Sequence, residues 1–296
     1  MAISSTHSKF TLPQINPGVV TVLEYLQIKF PRIATEVWQQ RMAAGKVHWH
    51  SGECIQPETF YQPQQRVYYY REVAVEPKIP FAETIVYQDE QILVAFKPHF
   101  LALMPGGRFV NECLQNRLRE STGLSDLQAL HRLDRVTAGL VMFSVKPATR
   151  GVYHDLFAHR KIHKTYHAVA KIEAGGPNLV GREWQVKNKM VAAIPKFRMQ
   201  VVAGEPNSHS VVRCLRQVGD QALFELHPVT GRTHQLRLHM ATLGHAILND
   251  KYYPELEDES ADDFAKPLQL LAKSLKFIDP VTSQARSFMC TQRLQF

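Results

Sequence analysis

Cysteine is scarce and scattered. Cys54, Cys113, Cys214 and Cys290 are the only four in 296 residues, and no C-x-x-C pair occurs. Neither a disulfide framework nor a zinc ribbon is indicated, and the four read as reduced thiols. Also absent is any run of about 18 apolar residues, the minimum for a membrane-spanning helix. The N-terminal stretch MAISSTHSKFTLPQ lacks the charged-then-apolar order of a secretory signal. A soluble, cytoplasmic protein is therefore expected. What is present is an apolar fraction of 45%, enough for a real core. The length suits one large domain, or a medium domain with a small appendage.

Acidic residues are unevenly spread. The net charge is +8, but six of the 27 acids fall in ELEDESADD at 255–263, which reads as a solvated loop; the rest of the chain sets 35 basic residues against 21 acidic ones, +14. Such an excess suits a polyanionic partner, most economically nucleic acid, because each neutralised phosphate releases counterions. A basic protein that is merely soluble is the alternative.

Residues 21–45 carry helical spacing at Val22, Leu23, Leu26 and Phe30, then at Ile33, Val37, Trp38 and Met42, which predicts two short helices split by Pro31. GKVHWHSGECI and QQRVYYYRE follow as strands. Two helices and a hairpin, with Arg41 and Lys46 near the junction, resemble the small S4-type RNA-binding module. EVAVEPKIPF, residues 72–81, reads as a linker. It divides the chain into 1–75 and 76–296.

Beyond it, ETIVYQDEQILVAFKP has the rhythm of a β-hairpin, and MPGGRFVNECLQNRL predicts a Gly-Gly turn and a helix with Val110, Cys113, Leu114 and Leu118 on one face. GLVMFSV is a buried strand, so the HRLDR before it lies on the loop that feeds that strand, where backbone geometry can aim a side chain into a cleft. GVYHDLFAH is helical, with Val152, Tyr153, Leu156 and Phe157 as its apolar face. KTYHAVAK alternates as a strand, with Tyr166, Ala168 and Ala170 on one side. SVVRCLRQ and ALFELHP form a hairpin about Gly219-Asp220. TGRTHQLRLHMATLGH is a turn and a helix with Leu236, Met240 and Leu243 in a stripe and Gly244 at its end, leaving Arg237 at the stripe's edge.

Taken alone, Asp134 between Arg132 and Arg135 could be an ion pair at the mouth of a strand. However, HRLDRVTAGLVMFS and TGRTHQLRLHMATLGHAILND, with KTYHAVA between them, resemble the signature segments of the RluA-type pseudouridine synthases over roughly residues 82–280. The resemblance implies an α+β catalytic domain on a mixed, largely antiparallel sheet with flanking helices, and an isomerase needing no cofactor or metal; the S4-like module in front of it rests on the helix–hairpin pattern alone. In that reaction the N1–C1′ bond of uridine breaks, the uracil turns, and C5 bonds to C1′. It casts Asp134 as the catalytic carboxylate, Tyr166 as the ring that stacks on uracil and moves a proton, and Arg237 as the cation paired with the Asp. Arg132, Arg135, Arg160, Lys161, Lys164, Arg232 and His234 become candidate RNA contacts. The expected partner is RNA, ribosomal before transfer, and the protein is expected to be a monomer. The sequence departs from the family at KPHFLALMPGG and at LLAKSL, which puts Leu271 where the family often carries His.

Two other classes compete. His159, His163 and His167 fall at i, i+4 and i+8 and would suit zinc on one continuous helix, but the segment alternates as a strand after Arg160. A non-catalytic RNA binder would be expected to lack Asp134, Tyr166 or Arg237, and all three are present.

Overall fold

Thr21 and Glu24 start the first helix: Thr21 Oγ1 accepts the Glu24 N–H, a free amide of the first turn, at 3.2 Å, and the Glu24 carboxylate reaches back to accept the N–H of Val20, just ahead of the cap, at 2.7 Å. The computed structural model describes residues 2–4, 7–258 and 260–296. These fall into two compact units, Met1–Pro77 with Pro105–Asn111, and Lys78–Met104 with Glu112–Phe296.

The N-terminal unit contains β1 (Ala2–Ile3), β2 (Ser8–Thr11), α1 (Val22–Lys29), α2 (Thr35–Ala43), β3 (Val47–Trp49), β4 (Arg66–Tyr69) and β5 (Glu72–Val73). The two helices and the β3–β4 pairing follow the sequence pattern; β2, which joins β4 as a third strand, does not show in it. Val22, Leu26, Trp38, Met42 and Val67 close its core. Arg41 and Lys46, marked above for their place near the helix–hairpin junction, both bond to the Glu72 carboxylate, and the Arg41 side chain is buried.

The larger unit is built on one mixed sheet. Its elements are β6 (Thr84–Gln88), β7 (Ile92–Lys97), α3 (Leu114–Thr122), β8 (Gln128–Ala129), β9 (Ala138–Ser144), α4 (Arg150–Ala158), β10 (His163–Lys171), β11 (Glu183–Ala192), β12 (Met199–Val202), β13 (Ser208–Val218), β14 (Gln221–Pro228), α5 (Gln235–Thr242), β15 (Leu270–Ile278) and β16 (Ala285–Met289). Strand order is β12-β11-β13-β14-β10-β15-β9-β7-β6, with β8 on β9 and β16 on β15. Among the described strands of this sheet the pairings are antiparallel except β15 with β9. The fold is thus α+β on a largely antiparallel sheet.

β15 is the seam. Leu270 belongs to a core with Ala168, Phe224, Leu226, Leu236 and Met240, whereas Leu271 belongs to another with Ile92, Leu140, Met142, Tyr153 and Leu156. Leu271, the departure from the family pattern, is therefore a packing residue. At the seam β9 approaches β15 so closely that a Cβ on Gly139, whose φ is +123°, would lie 2.4 Å from the Ala272 backbone. Only glycine fits there.

Three expectations need correction. α3 begins at Leu114, because Cys113 is extended and bridges Ala102, while Val110 lies in the segment grouped with the N-terminal unit. Val152 points outward at 44% exposure, and α4 packs through Tyr153 and Leu156. The acidic stretch is not wholly solvated, since Asp262 forks onto Arg135.

Candidate active site

The HRLDR loop links β8 to β9 and is pinned from beneath. Lys97, fully buried at the end of β7, donates to the carbonyls of Pro98, Leu101 and Arg135 at 2.8–2.9 Å. Burial pushes this ammonium well below its ordinary value, and the charge of Asp134 opposes the shift. The three carbonyls match the three hydrogens of the charged form. His99 Nδ1 meets the Val136 carbonyl at 2.8 Å. At the loop's start, His131 Nε2 accepts the Met142 N–H at 3.1 Å and its ring stacks on Phe157. Desolvation lowers its pKa to about 3, so it is neutral there.

These pins hold Asp134 at a cleft of about 430 Å³. Opposite, Arg237 rises from the first turn of α5. Its Nη1 stands 3.7 Å from Asp134 Oδ2, and His234 Nε2 stands 3.9 Å from the same oxygen. Arg237 is held more tightly elsewhere, with Nε and Nη2 donating to the two Asp250 oxygens at 2.7 and 2.6 Å. Its guanidinium also lies over the Tyr252 and Tyr253 rings, 4.8 and 5.5 Å from their centroids. Burial disfavours the cation, but the hydrogen bonds and charge of Asp250, with Asp134 adding to them, raise its pKa overall. Arg237 is therefore shared between two carboxylates, and Asp250 is the closer partner.

Tyr166 lines the cleft from β10, beside a bulge between Thr165 and Tyr166 in the pairing with β15. Burial raises its phenol pKa, and the nearby charge of Asp134 adds to the effect, so the hydroxyl keeps its proton. Arg132, Arg160, Lys164, Arg232 and His234 also line the cleft, whereas Arg135 and Lys161 do not. Arg135 is turned onto Asp262 at 2.7 and 2.8 Å, and Lys161 is exposed. His159 caps the end of α4 while His163 and His167 lie on β10, and among the described residues no group of three His, Cys, Asp or Glu is placed to hold a metal.

Sequence reasoning missed Asp250, Lys97, Tyr252 and Tyr253. The available signal was GHAILND, where a carboxylate ends an apolar run just beyond the Arg237 helix.

A family model described as RNA pseudouridylate synthase matches residues 91–242, which takes in HRLDR, KTY and HQLRLH. The chain belongs to this family. Among its relatives is a dual-specificity RNA pseudouridine synthase RluA of Vibrio vulnificus, 31% identical over 221 residues, covering 71% of this chain and 83% of that one. The RluA of Vibrio cholerae is 33% identical over 206 residues, 69% of this chain and 80% of its own. Human RNA Pseudouridylate Synthase Domain Containing 1 superimposes with a TM-score of 0.59 at 22% identity, over 74% of this chain and 86% of that one, which establishes the shared fold. The synthase is thus an RluA-type isomerase whose partner is RNA. Among its described residues no helix is long and apolar enough to cross a membrane.

Proposed function

We propose that this synthase isomerises uridine with Asp134 as the catalytic carboxylate, Tyr166 as the ring under the uracil and Arg237 as the fixed cation. The convergence of these three on one cleft carries the reading. A guanidinium 3.7 Å away sets a fixed positive charge beside the carboxylate that is to act at C1′. The uridine must leave its stack to reach it, at a cost of a few kcal/mol. The basic rim of Arg132, Arg160, Lys164 and Arg232 would offset that cost at the flanking phosphates.

Ribosomal RNA is the proposed substrate class, with transfer RNA the alternative, a choice left open by relatives named dual-specificity. The N-terminal unit is proposed as an S4-like module, residues 1–75, that adds affinity and selectivity to a monomeric enzyme in the cytoplasm. The deciding experiment incubates the purified protein with each RNA class, without added metal, and maps pseudouridine at base resolution. The same map is made from cells with and without the gene. Tyr166→Phe in this assay keeps the stacking ring and should keep RNA affinity, while turnover falls about a hundredfold. A protein inert on every RNA would leave a binder in place of an enzyme.

A further inference from the structure

His234 occupies an unusual position. It precedes α5 with φ +53° and ψ +18°, the left-handed region that residues with a Cβ rarely adopt, and its ring is largely buried in the cleft wall. Its two nitrogens have different surroundings. Nδ1 lies 3.1 Å from Tyr253 Oη, while Nε2 faces Asp134 Oδ2. Tyr253 Oη accepts the Met199 backbone N–H at 2.8 Å, so its own hydrogen is left for His234 Nδ1. An imidazole that accepts at Nδ1 carries its proton on Nε2.

Other groups around the ring preserve this arrangement. Asp134 and Arg132 face it from the HRLDR loop, Arg237 from α5, and Asp250, Tyr252 and Tyr253 from the segment beyond α5. Burial lowers its pKa, with the charges of Asp134 and Asp250 opposing, and the ring is neutral at physiological pH. Tyr253 is itself fixed, 2% exposed and covered by the Arg198 guanidinium at 5.2 Å.

We propose that His234 is a positioning residue whose Nε2–H is aimed at Asp134 Oδ2 by the Met199–Tyr253–His234 chain, so that Oδ1 is the oxygen reserved for the substrate. Arg237 meets the same Oδ2, and both contacts therefore act on one oxygen. The 3.7 and 3.9 Å separations exceed hydrogen-bond length, and catalytic contacts of this kind often tighten only with substrate bound. In the opposite tautomer a lone pair would face the carboxylate and repel it. The inference rests on Asp134 being the catalytic carboxylate, and it assigns His234 to the chemistry in place of the RNA rim.

The experiment is a long-range ¹⁵N–¹H correlation spectrum of the full-length protein with labelled histidine, run beside steady-state kinetics. Wild-type His234 should show the Nε2–H tautomer. Tyr253→Phe keeps the ring under Arg198 and Arg237 but frees Nδ1. Asp134 then remains the one group favouring Nε2–H, so its spectrum should show Nδ1–H mixed with Nε2–H, kcat should fall about tenfold with KM for RNA unchanged, and the acid limb of its rate profile should move to higher pH. An Nδ1–H tautomer in the wild type, or a wild-type kcat in folded Tyr253→Phe, overturns the proposal. Should Tyr253→Phe not fold, His234→Gln and His234→Leu decide: Gln retains an N–H donor and should recover most of the rate lost in Leu, and equal rates in the two overturn the idea. An active Asp134→Asn protein would overturn the underlying reading together with this one; a wild-type Nδ1–H spectrum would overturn only this one.

Discussion

Two arginine–aspartate forks flank Asp134, and they differ in burial. Arg237 grips Asp250 with the two side chains 3% and 1% exposed; Arg135, the residue next to Asp134, grips Asp262 with 31% and 15%. Bond lengths are nearly the same, 2.6–2.7 Å against 2.7–2.8 Å. The surroundings decide what each does. In the cleft wall neither charge can be left alone, since an unpaired buried ion costs several kcal/mol. The fork there makes Arg237 a fixed cation whose remaining Nη1 is available to Asp134. At the more open fork, water and salt compete with the carboxylate, and the pair contributes little. Geometry alone would have ranked the two pairs equally.

The sharpest test removes the charge that only the buried side serves. Asp134→Asn should cut pseudouridine formation by on the order of 10³-fold or more with RNA affinity and melting temperature nearly unchanged, because Arg237 retains Asp250 as its closer partner. A large melting shift would show that Asp134 shares the structural load and would narrow the contrast between the forks. Next comes Asp250→Asn, which leaves a buried guanidinium half-paired. Chemical denaturation should show a loss of about 3 kcal/mol, accompanied by slower turnover as Arg237 loses its fixed pose.

Acid should act on the buried side as well. His131 takes up its proton near pH 3 in the folded protein and near 6.5 in the unfolded chain, so the unfolded state binds more protons between those values. Stability therefore falls as pH drops below 6.5 and goes on falling to about 3. Melting curves across this window should be steeper for wild type than for His131→Gln, and parallel curves would assign the acid loss to other groups. The smallest effect is expected from Asp262→Asn, below about 1 kcal/mol and fading in high salt. A loss as large as that of Asp250→Asn would end the distinction between the two forks.

Much of this was legible in the chain. HRLDR on a loop before a strand, KTY on a strand and HQLRLH on a helix follow from hydrophobic period and turn residues, and these elements carry the three proposed catalytic side chains. The hidden part was partnership. Nothing in a period says that the Arg237 guanidinium turns to a carboxylate 13 residues on, or that Asp262 reaches back 127 residues to Arg135. Val110 and Cys113 show the opposite failure: their spacing suits a helix, but the chain there is drawn into other packing before α3 begins. Lys97 was hidden too, because a lysine is ordinarily placed in water, and only the folded backbone shows three carbonyls turned toward it.

Gly139 sets a limit on how this enzyme can vary. It lies five residues after Asp134, and the Ala272 backbone it presses against is paired across β15 with Tyr166. One missing methyl therefore sets the spacing between the strand that follows the carboxylate and the strand that carries the ring. Even alanine there would wedge the seam and alter the gap between Asp134 and Tyr166 without touching either. Exposed positions on the cleft rim can vary without disturbing the sheet, but position 139 offers no neutral step.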